Sequence, residues 1–168
     1  TGSFVSEDGL ILTNHHCSFG DIAAVSSAEN NYLENGFIAK ERDQELPAKG
    51  QSCQITVGYS DVSKEILDAA AGKESSDRID AINKARKKLV EEAQKEPGIK
   101  AEVSEMFIGK TYILFKYLEL KDVRLVYAPP RAIGEFGGET DNWVWPRHTG
   151  DFSFLRAYVA PDGSPAEY

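Results

Sequence analysis

The chain has 168 residues, of which 41% are hydrophobic and 27% are charged, and its formal net charge is −8. This length accommodates one sizeable hydrophobic core, and the composition is not that of a disordered chain. No apolar run approaches the ~18 residues of a membrane-spanning helix. We therefore predict no membrane partner, and also no nucleic-acid partner, because nucleic acid carries charge of the same sign as the chain.

The first predicted element is a β-hairpin. Two short apolar segments, residues 4–5 and 10–12, flank an Asp-Gly turn, and this pair provides the positive φ that a tight turn needs. The second strand leads directly to His15 and His16. Because side chains alternate across an extended strand, we expect these two histidines to point to opposite sides.

Two segments in the middle of the chain show helical patterns. Apolar residues recur on one face from Ser76 or Asp77, either of which can cap the helix, to about Glu96, where a Pro-Gly pair follows. Residues 62–71 predict a second, shorter helix. Together these segments predict a helical insertion at about residues 61–97.

The remaining segments favour β-structure. Three stretches rich in Tyr, Ile, Phe and Val follow one another with turn residues between them, which indicates a meander. These stretches are residues 101–107, 111–120 and 123–127. Residues 54–57 and 152–159 predict further strands, and residues 132–150, which show neither period, predict a long functional loop. The predicted fold class is mainly β with a helical insertion.

The adjacent His15 and His16 are the first candidates for chemistry. Histidine is the usual general base, because its ordinary pKa lies near neutrality and a nucleophilic hydroxyl needs such a base within hydrogen-bond reach. Without further context, a His-His pair more often has a structural role. A metal hydrolase that uses His15, His16 and His148 is disfavoured, because adjacent histidines seldom chelate one ion. We predict no metal and no other cofactor.

The two cysteines of the chain, Cys17 and Cys53, lack the spacing of a metal-binding knuckle. They can form one disulfide, pair with a cysteine outside this sequence, or stay free. The sequence leaves these three alternatives open.

The context of the histidine pair points to a peptidase. Residues 2–17 resemble the hairpin that carries the catalytic histidine in bacterial chymotrypsin-like peptidases, with a glycine-containing strand, an Asp-Gly turn, an apolar strand and then Thr-Asn-x-His. This resemblance assigns the catalytic role to His16 and makes His15 its neighbour.

A catalytic histidine needs a carboxylate that orients it and stabilises the imidazolium. The candidates downstream are Asp141 and Asp151. Asp151 precedes an apolar strand, where chymotrypsin-like peptidases place their triad aspartate, whereas Asp141 lies in the predicted loop among polar residues. We therefore predict Asp151 as the partner of His16.

Longer segments carry a more specific resemblance. The tryptophan-containing segment at residues 129–153, the Asn-His-His-Cys segment and residues 31–37 resemble the bacterial dipeptidyl peptidase 7 and 11 family, serine exopeptidases of the chymotrypsin clan. The resemblance covers nearly the whole chain. It implies a chymotrypsin-like β-barrel, one of the two barrels of such an enzyme, and a whole protein that can form a homodimer.

The same resemblance implies an activity and a place. The activity is the removal of dipeptides from peptides with a free N-terminus, in the periplasm or at the cell surface of Gram-negative bacteria. Asn142 and Trp143 would hold the substrate's α-amino group. The chemistry is compatible, because an amide oxygen accepts from an ammonium and an indole face attracts it.

The sequence has no serine in the Gly-x-Ser-Gly type of turn that forms an oxyanion hole. Ser164 is followed by proline, which has no N–H to donate. The resemblance places the nucleophile far downstream, in a second barrel. We therefore expect residues 1–168 to be the N-terminal part of a peptidase catalytic domain, inactive without the remainder of the parent chain. The alternative is a non-catalytic peptide-binding module on the same barrel.

Overall fold

A computed structural model describes residues 1–135 and 150–160 of the chain. These residues form nine strands and five α-helices. In chain order the elements are β1 (Gly2–Phe4), β2 (Leu10–Thr13), α1 (His15–Val25), α2 (Tyr32–Asn35), β3 (Phe37–Ile38), β4 (Leu46–Pro47), β5 (Cys53–Asp61), α3 (Ser63–Ala69), α4 (Ser75–Ala93), β6 (Ile99–Met106), β7 (Thr111–Leu120), β8 (Asp122–Ala128), α5 (Arg131–Gly134) and β9 (Ser153–Tyr158). They fall into two compact units, a first unit of Thr1–Cys53 with Leu120–Tyr168 and a second unit of Gln54–Glu119.

The first unit is built on one antiparallel sheet with the strand order β1-β2-β9-β8-β3, and β4 also pairs with β8. The predicted N-terminal hairpin is confirmed by the pairing of β1 with β2. Its turn ends at Gly9, which has φ +73° and lies so close to β9 that a Cβ would stand 2.6 Å from the carbonyl oxygen of Ala157. Both the backbone conformation and the lack of space for a Cβ therefore require glycine at this position.

Strands β2, β8 and β9 carry the core of the first unit together with helix α1. The buried side chains of this core are Ile11, Ile22, Ala48, Val123, Leu125, Ala128 and Leu155. Alternate residues of β8 and β9 point into it, which is the period-2 pattern of a half-buried strand.

The second unit has a three-stranded sheet with the order β5-β7-β6. Helices α3 and α4 confirm the two helices predicted from the apolar pattern, and α4 ends at Ala93, a few residues before the predicted end. Both helices lie within residues 61–97, and the compact unit that contains them also includes three strands. The core of this unit consists of Val62, Ile66, Ala93, Ala101, Val103, Tyr112 and Leu114.

Two expectations about local structure are wrong. The predicted three-stranded meander does not form. Strands β6 and β7 pair with each other, whereas β8 lies between β9 and β3 in the other sheet, where Val123 and Leu125 are buried. The two histidines do not continue an extended strand, because β2 ends at Thr13 and α1 begins at His15. Successive helical residues are about 100° apart, so the two side chains still diverge.

The predicted loop at residues 132–150 opens with the short helix α5. Residues 136–149 of it, with Asn142, Trp143, Asp141 and His148, lie outside the described residues, as does Ser164. None of the described helices combines the length and apolar character needed to cross a membrane.

Candidate active site

The pairing of β2 with β9 brings together two segments that are distant in sequence. The strands run antiparallel with Thr13 opposite Ser153. The residues that follow β2 therefore lie beside the residues that precede β9. This register places Asn14 and His16 next to Asp151, 135 residues away from His16.

His16 and Asp151 form a hydrogen-bonded pair. The ring nitrogen Nδ1 of His16 lies 2.8 Å from Oδ2 of Asp151. The backbone N–H of His16 donates to Oδ1 of the same carboxylate over 3.0 Å. The Asp151 side chain is 5% exposed and the His16 side chain 39% exposed. A buried carboxylate thus holds one edge of a solvent-accessible imidazole, and the neutral ring that donates from Nδ1 carries its lone pair on Nε2.

The carboxylate of Asp151 is stabilised as an anion. Burial alone would raise the pKa of Asp151, but hydrogen bonds from the backbone and side chain of His16, with a further one from Asn14, hold it below its ordinary value. The backbone N–H of His16 also belongs to the first turn of α1, where the helix dipole favours negative charge. Asp151 is therefore ionised at neutral pH and can stabilise an imidazolium.

His15 has a different environment, although it is adjacent in sequence. Its side chain is fully buried, with its ring edge-on to Phe19 at 6.2 Å. A Cβ at Gly134 would come within 2.7 Å of the ring, so α5 lies directly against it. Burial lowers the pKa of His15, although Glu135 and Asp151 act in the opposite direction. Neither ring nitrogen has a hydrogen-bond partner within the described ranges.

Helix α5, which leads into residues 136–149, is held by an arginine that bridges two carboxylates. Nε of Arg131 donates to Oε2 of Glu135 over 3.0 Å, and Nη1 donates to Oε1 of Glu34 over 3.1 Å. The Glu135 side chain is 5% exposed. Sequence reasoning missed this contact. The only signal was the separate presence of Glu34 and Arg131 in the two segments that carried the family resemblance.

The structure thus brings together two of the four predicted site residues, His16 and Asp151, and the other two, Asn142 and Trp143, lie outside the described residues. Sequence reasoning did not single out Asn14, which also contacts the carboxylate. Cys17 is exposed and Cys53 half-buried, and both are free thiols in the structure. Residues 1–135 and 150–160 contain no cluster of three or more His, Cys, Asp or Glu side chains with metal-binding geometry.

Comparisons with known proteins find a family and relatives that match over nearly the whole chain. The family model described as Peptidase S46 matches residues 1–168. The chain is 44% identical to a dipeptidyl-peptidase 7 of Capnocytophaga gingivalis over 100% of its own length and 24% of that protein. It is 45% identical to an Asp/Glu-specific dipeptidyl-peptidase of the same organism over 98% of its length and 23% of that protein.

A solved structure of a related protein supports the fold class. The crystal structure of Porphyromonas endodontalis DPP11 in complex with the dipeptide Arg-Asp matches with a TM-score of 0.85 and 38% identity. The match covers 99% of this chain and 25% of that one, so the mainly β fold with helices is confirmed. The chain spans about a quarter of the length of the relatives it matches. It belongs to the peptidase S46 family.

Proposed function

We propose that the chain is the N-terminal part of the catalytic domain of a serine dipeptidyl-peptidase, which releases dipeptides from peptides with a free N-terminus. The observation that carries this proposal is the contact between Nδ1 of His16 and Oδ2 of Asp151 at 2.8 Å, made by a buried carboxylate and a half-exposed imidazole. A module that only binds peptides has no need of such a pair.

The chemistry follows from the free nitrogen of the pair. Nε2 of His16 takes the proton of a serine hydroxyl while the serine oxygen attacks the peptide carbonyl, and the resulting imidazolium returns that proton to the leaving amine. Asp151 stays ionised and stabilises the imidazolium. The serine and its oxyanion hole come from the remainder of the longer protein, in a second barrel that completes a chymotrypsin-like fold.

Substrate recognition rests on the free amino group. In this proposal Asn142 and Trp143 hold the α-ammonium, which fixes the scissile bond two residues from the N-terminus. The named relatives include an Asp/Glu-specific dipeptidyl-peptidase and a DPP11 bound to Arg-Asp, which supports peptides as the substrate class. We further propose a periplasmic or cell-surface location and a homodimeric whole protein.

The first experiment measures kcat/KM of the full-length protein on a chromogenic dipeptide substrate. His16→Ala and Asp151→Ala should each lower kcat/KM by roughly 10³-fold or more, since each removes a triad member. His15→Ala should have a milder effect, because the side chain of His15 is fully buried. Circular dichroism checks that the variants are folded. An active His16→Ala variant with an inactive His15→Ala variant would reverse the assignment.

The second experiment tests the dipeptidyl specificity. N-acetylated substrates should be poor substrates of the full-length protein, and Asn142→Ala should mainly raise KM for substrates with a free amine. Equal cleavage of acetylated and free peptides would instead indicate an endopeptidase. Residues 1–168 alone should release no dipeptide.

A further inference from the structure

Asn14 occupies the N-cap position of α1 but does not act as the cap. Its backbone has the extended conformation of an N-cap residue, with φ −76° and ψ 150°, and its side chain makes no capping hydrogen bond. Instead, Nδ2 donates to Oδ2 of Asp151 over 3.0 Å and to the backbone oxygen of Asp151 over 3.2 Å. An asparagine at this position ordinarily accepts from the second or third N–H of its own helix.

Asp151, in the segment that precedes β9, takes over the capping role. Its Oδ1 accepts from the backbone N–H of His16, which is the second residue of α1. One carboxylate therefore caps the helix through Oδ1 and meets the imidazole through Oδ2. Asn14 donates to the second of these oxygens and to the backbone of the same residue, so it fixes the carboxylate both in position and in rotation about its Cβ–Cγ bond.

We propose that Asn14 is a positioning residue of the catalytic pair, which holds Oδ2 of Asp151 toward Nδ1 of His16 and shares the negative charge of that oxygen. The inference rests on the proposed function and adds to it a residue outside the triad. Asn14 itself is solvent-exposed and lies at the end of β2, so its replacement leaves the apolar core of the first unit intact.

The charge sharing has a defined sign. The amide N–H of Asn14 presents its positive end to Oδ2 and reduces the attraction between that oxygen and an imidazolium. Removal of this donor leaves more negative charge on Oδ2, which strengthens the attraction of that oxygen for an imidazolium at Nδ1. The charged groups that act on the neighbouring His15 include Glu135 and Arg131 besides Asp151 and His16. They are the same in every variant compared.

The experiment compares Asn14→Ala and Asn14→Asp with Asn31→Ala in the full-length protein. Asn31 is the matched control, because it is an asparagine N-cap of α2 whose side chain accepts from the N–H of Glu34. Asn14→Asp keeps a side chain that caps helices well but cannot donate when ionised, and it adds a like charge beside Asp151.

For Asn14→Ala we expect kcat to fall about tenfold with little change in KM, the loss of one hydrogen bond to a charged group. The acid limb of the profile of kcat/KM against pH should move to higher pH, and Asn14→Asp should move it further. Asn31→Ala should lower the melting temperature and leave the limb in place. Unchanged kcat and an unchanged acid limb in Asn14→Ala would overturn the proposal.

A second readout separates this inference from the proposed function. Histidine-selective isotope labelling allows the imidazole of His16 to be titrated by NMR whether or not the protein cleaves peptides, with His16→Ala identifying its signal. Asn14→Ala should raise the pH at which this signal titrates, because the unshared charge of Oδ2 favours the imidazolium, and an unchanged or lowered midpoint overturns the charge sharing. If the wild-type protein cleaves no peptide but the midpoint of Asn14→Ala is shifted, the peptidase proposal is refuted and the role of Asn14 beside Asp151 is supported.

Discussion

The two units of the chain differ in what they bury. Within the described ranges, every buried polar or charged residue belongs to the first unit, and these residues are His15, Ser18, Asp21, Glu45, Glu135 and Ser153. The core of the second unit is apolar throughout apart from the hydroxyl of Tyr112. Burial of polar groups costs free energy unless each is hydrogen-bonded, whereas burial of apolar side chains is favourable. The first unit therefore carries a desolvation cost wherever one of these polar groups has no hydrogen-bond partner.

Buried polar groups in the first unit are of two kinds. Glu45 is fully paired, since Nε of Arg156 donates to it over 2.8 Å and the hydroxyl of Tyr158 also donates to it. His15, Ser18 and Ser153 have buried side-chain atoms without a hydrogen-bond partner in the described part of the chain. The unpaired groups lie on α1 and at the start of β9, the two elements that position His16 and Asp151.

The largest expected effect concerns the apolar core of the second unit. Ile66 is fully buried there, and Ile66→Ala should lower the free energy of unfolding by about 2–5 kcal/mol, from lost burial and the cavity left behind. Hydrogen exchange measured by mass spectrometry on the full-length protein should show faster exchange in peptides of residues 54–119. Peptides of residues 1–53 serve as the internal reference.

Ile79→Ala is the control for this substitution, because Ile79 lies on α4 of the same unit and is 60% exposed. It should leave exchange unchanged. Equal effects of the two substitutions would show that the second unit is not stabilised by a defined apolar core.

The difference between the buried residues of the two units also determined which elements could be predicted from the sequence. Apolar periodicity predicted α3, α4, β6 and β7 of the second unit, because there the buried residues are also the hydrophobic ones. Helix α1 was not predicted. Its buried residues recur at helical spacing, but three of the four are His15, Ser18 and Asp21. A search for hydrophobic periodicity cannot detect a face that is mostly polar.

Pairing between distant strands was the other limit. The sequence of β8 has strand character, but only the tertiary structure assigns it to β9 rather than to β7. For the candidate site, sequence reasoning selected His16 and Asp151 from local motifs, and their contact then depends on the register of β2 and β9. Asn14 was not selected, because its partner is 137 residues away and its N-cap position suggests a local role instead.

The next prediction tests whether the paired polar groups of the first unit stabilise it. Burial, reinforced by the hydrogen bond to Glu45, raises the pKa of Tyr158 to about 12. A raised pKa in the folded state contributes stability that is present below about pH 10, the ordinary value, and is lost as pH rises toward 12. Tyr158→Phe should therefore cost about 1–3 kcal/mol at pH 8 and progressively less above pH 10, measured by urea unfolding of the full-length protein.

Tyr59→Phe is the control, because Tyr59 lies in the second unit and is 76% exposed. It should show no such dependence. The guanidinium of Arg124 lies over the ring at 4.3 Å, a contact that phenylalanine retains, so the substitution removes only the contribution of the hydroxyl. A Tyr158→Phe cost that stays constant from pH 8 to 11 would mean that this contribution does not depend on a raised pKa.

The smallest expected effect distinguishes unpaired from paired hydroxyls. The hydroxyl of Ser153 is fully buried without a hydrogen-bond partner among residues 1–135 and 150–160. Its removal in Ser153→Ala abolishes an uncompensated desolvation cost, so the free energy of unfolding should stay the same or rise by up to ~1 kcal/mol. Ser63 in the second unit is the matched opposite, because its hydroxyl accepts from the N–H of Tyr112 over 2.8 Å.

Ser63→Ala should lower the free energy of unfolding by about 1 kcal/mol, because it leaves a backbone donor of the second unit without its acceptor. The same serine-to-alanine change thus has opposite signs in the two units, which chemical denaturation of the full-length protein can resolve. A destabilising Ser153→Ala would show that its hydroxyl has a partner in the folded protein. The first unit would then bury its polar groups near Asp151 without a net desolvation cost. The two units would differ only in the kind of residue that they bury.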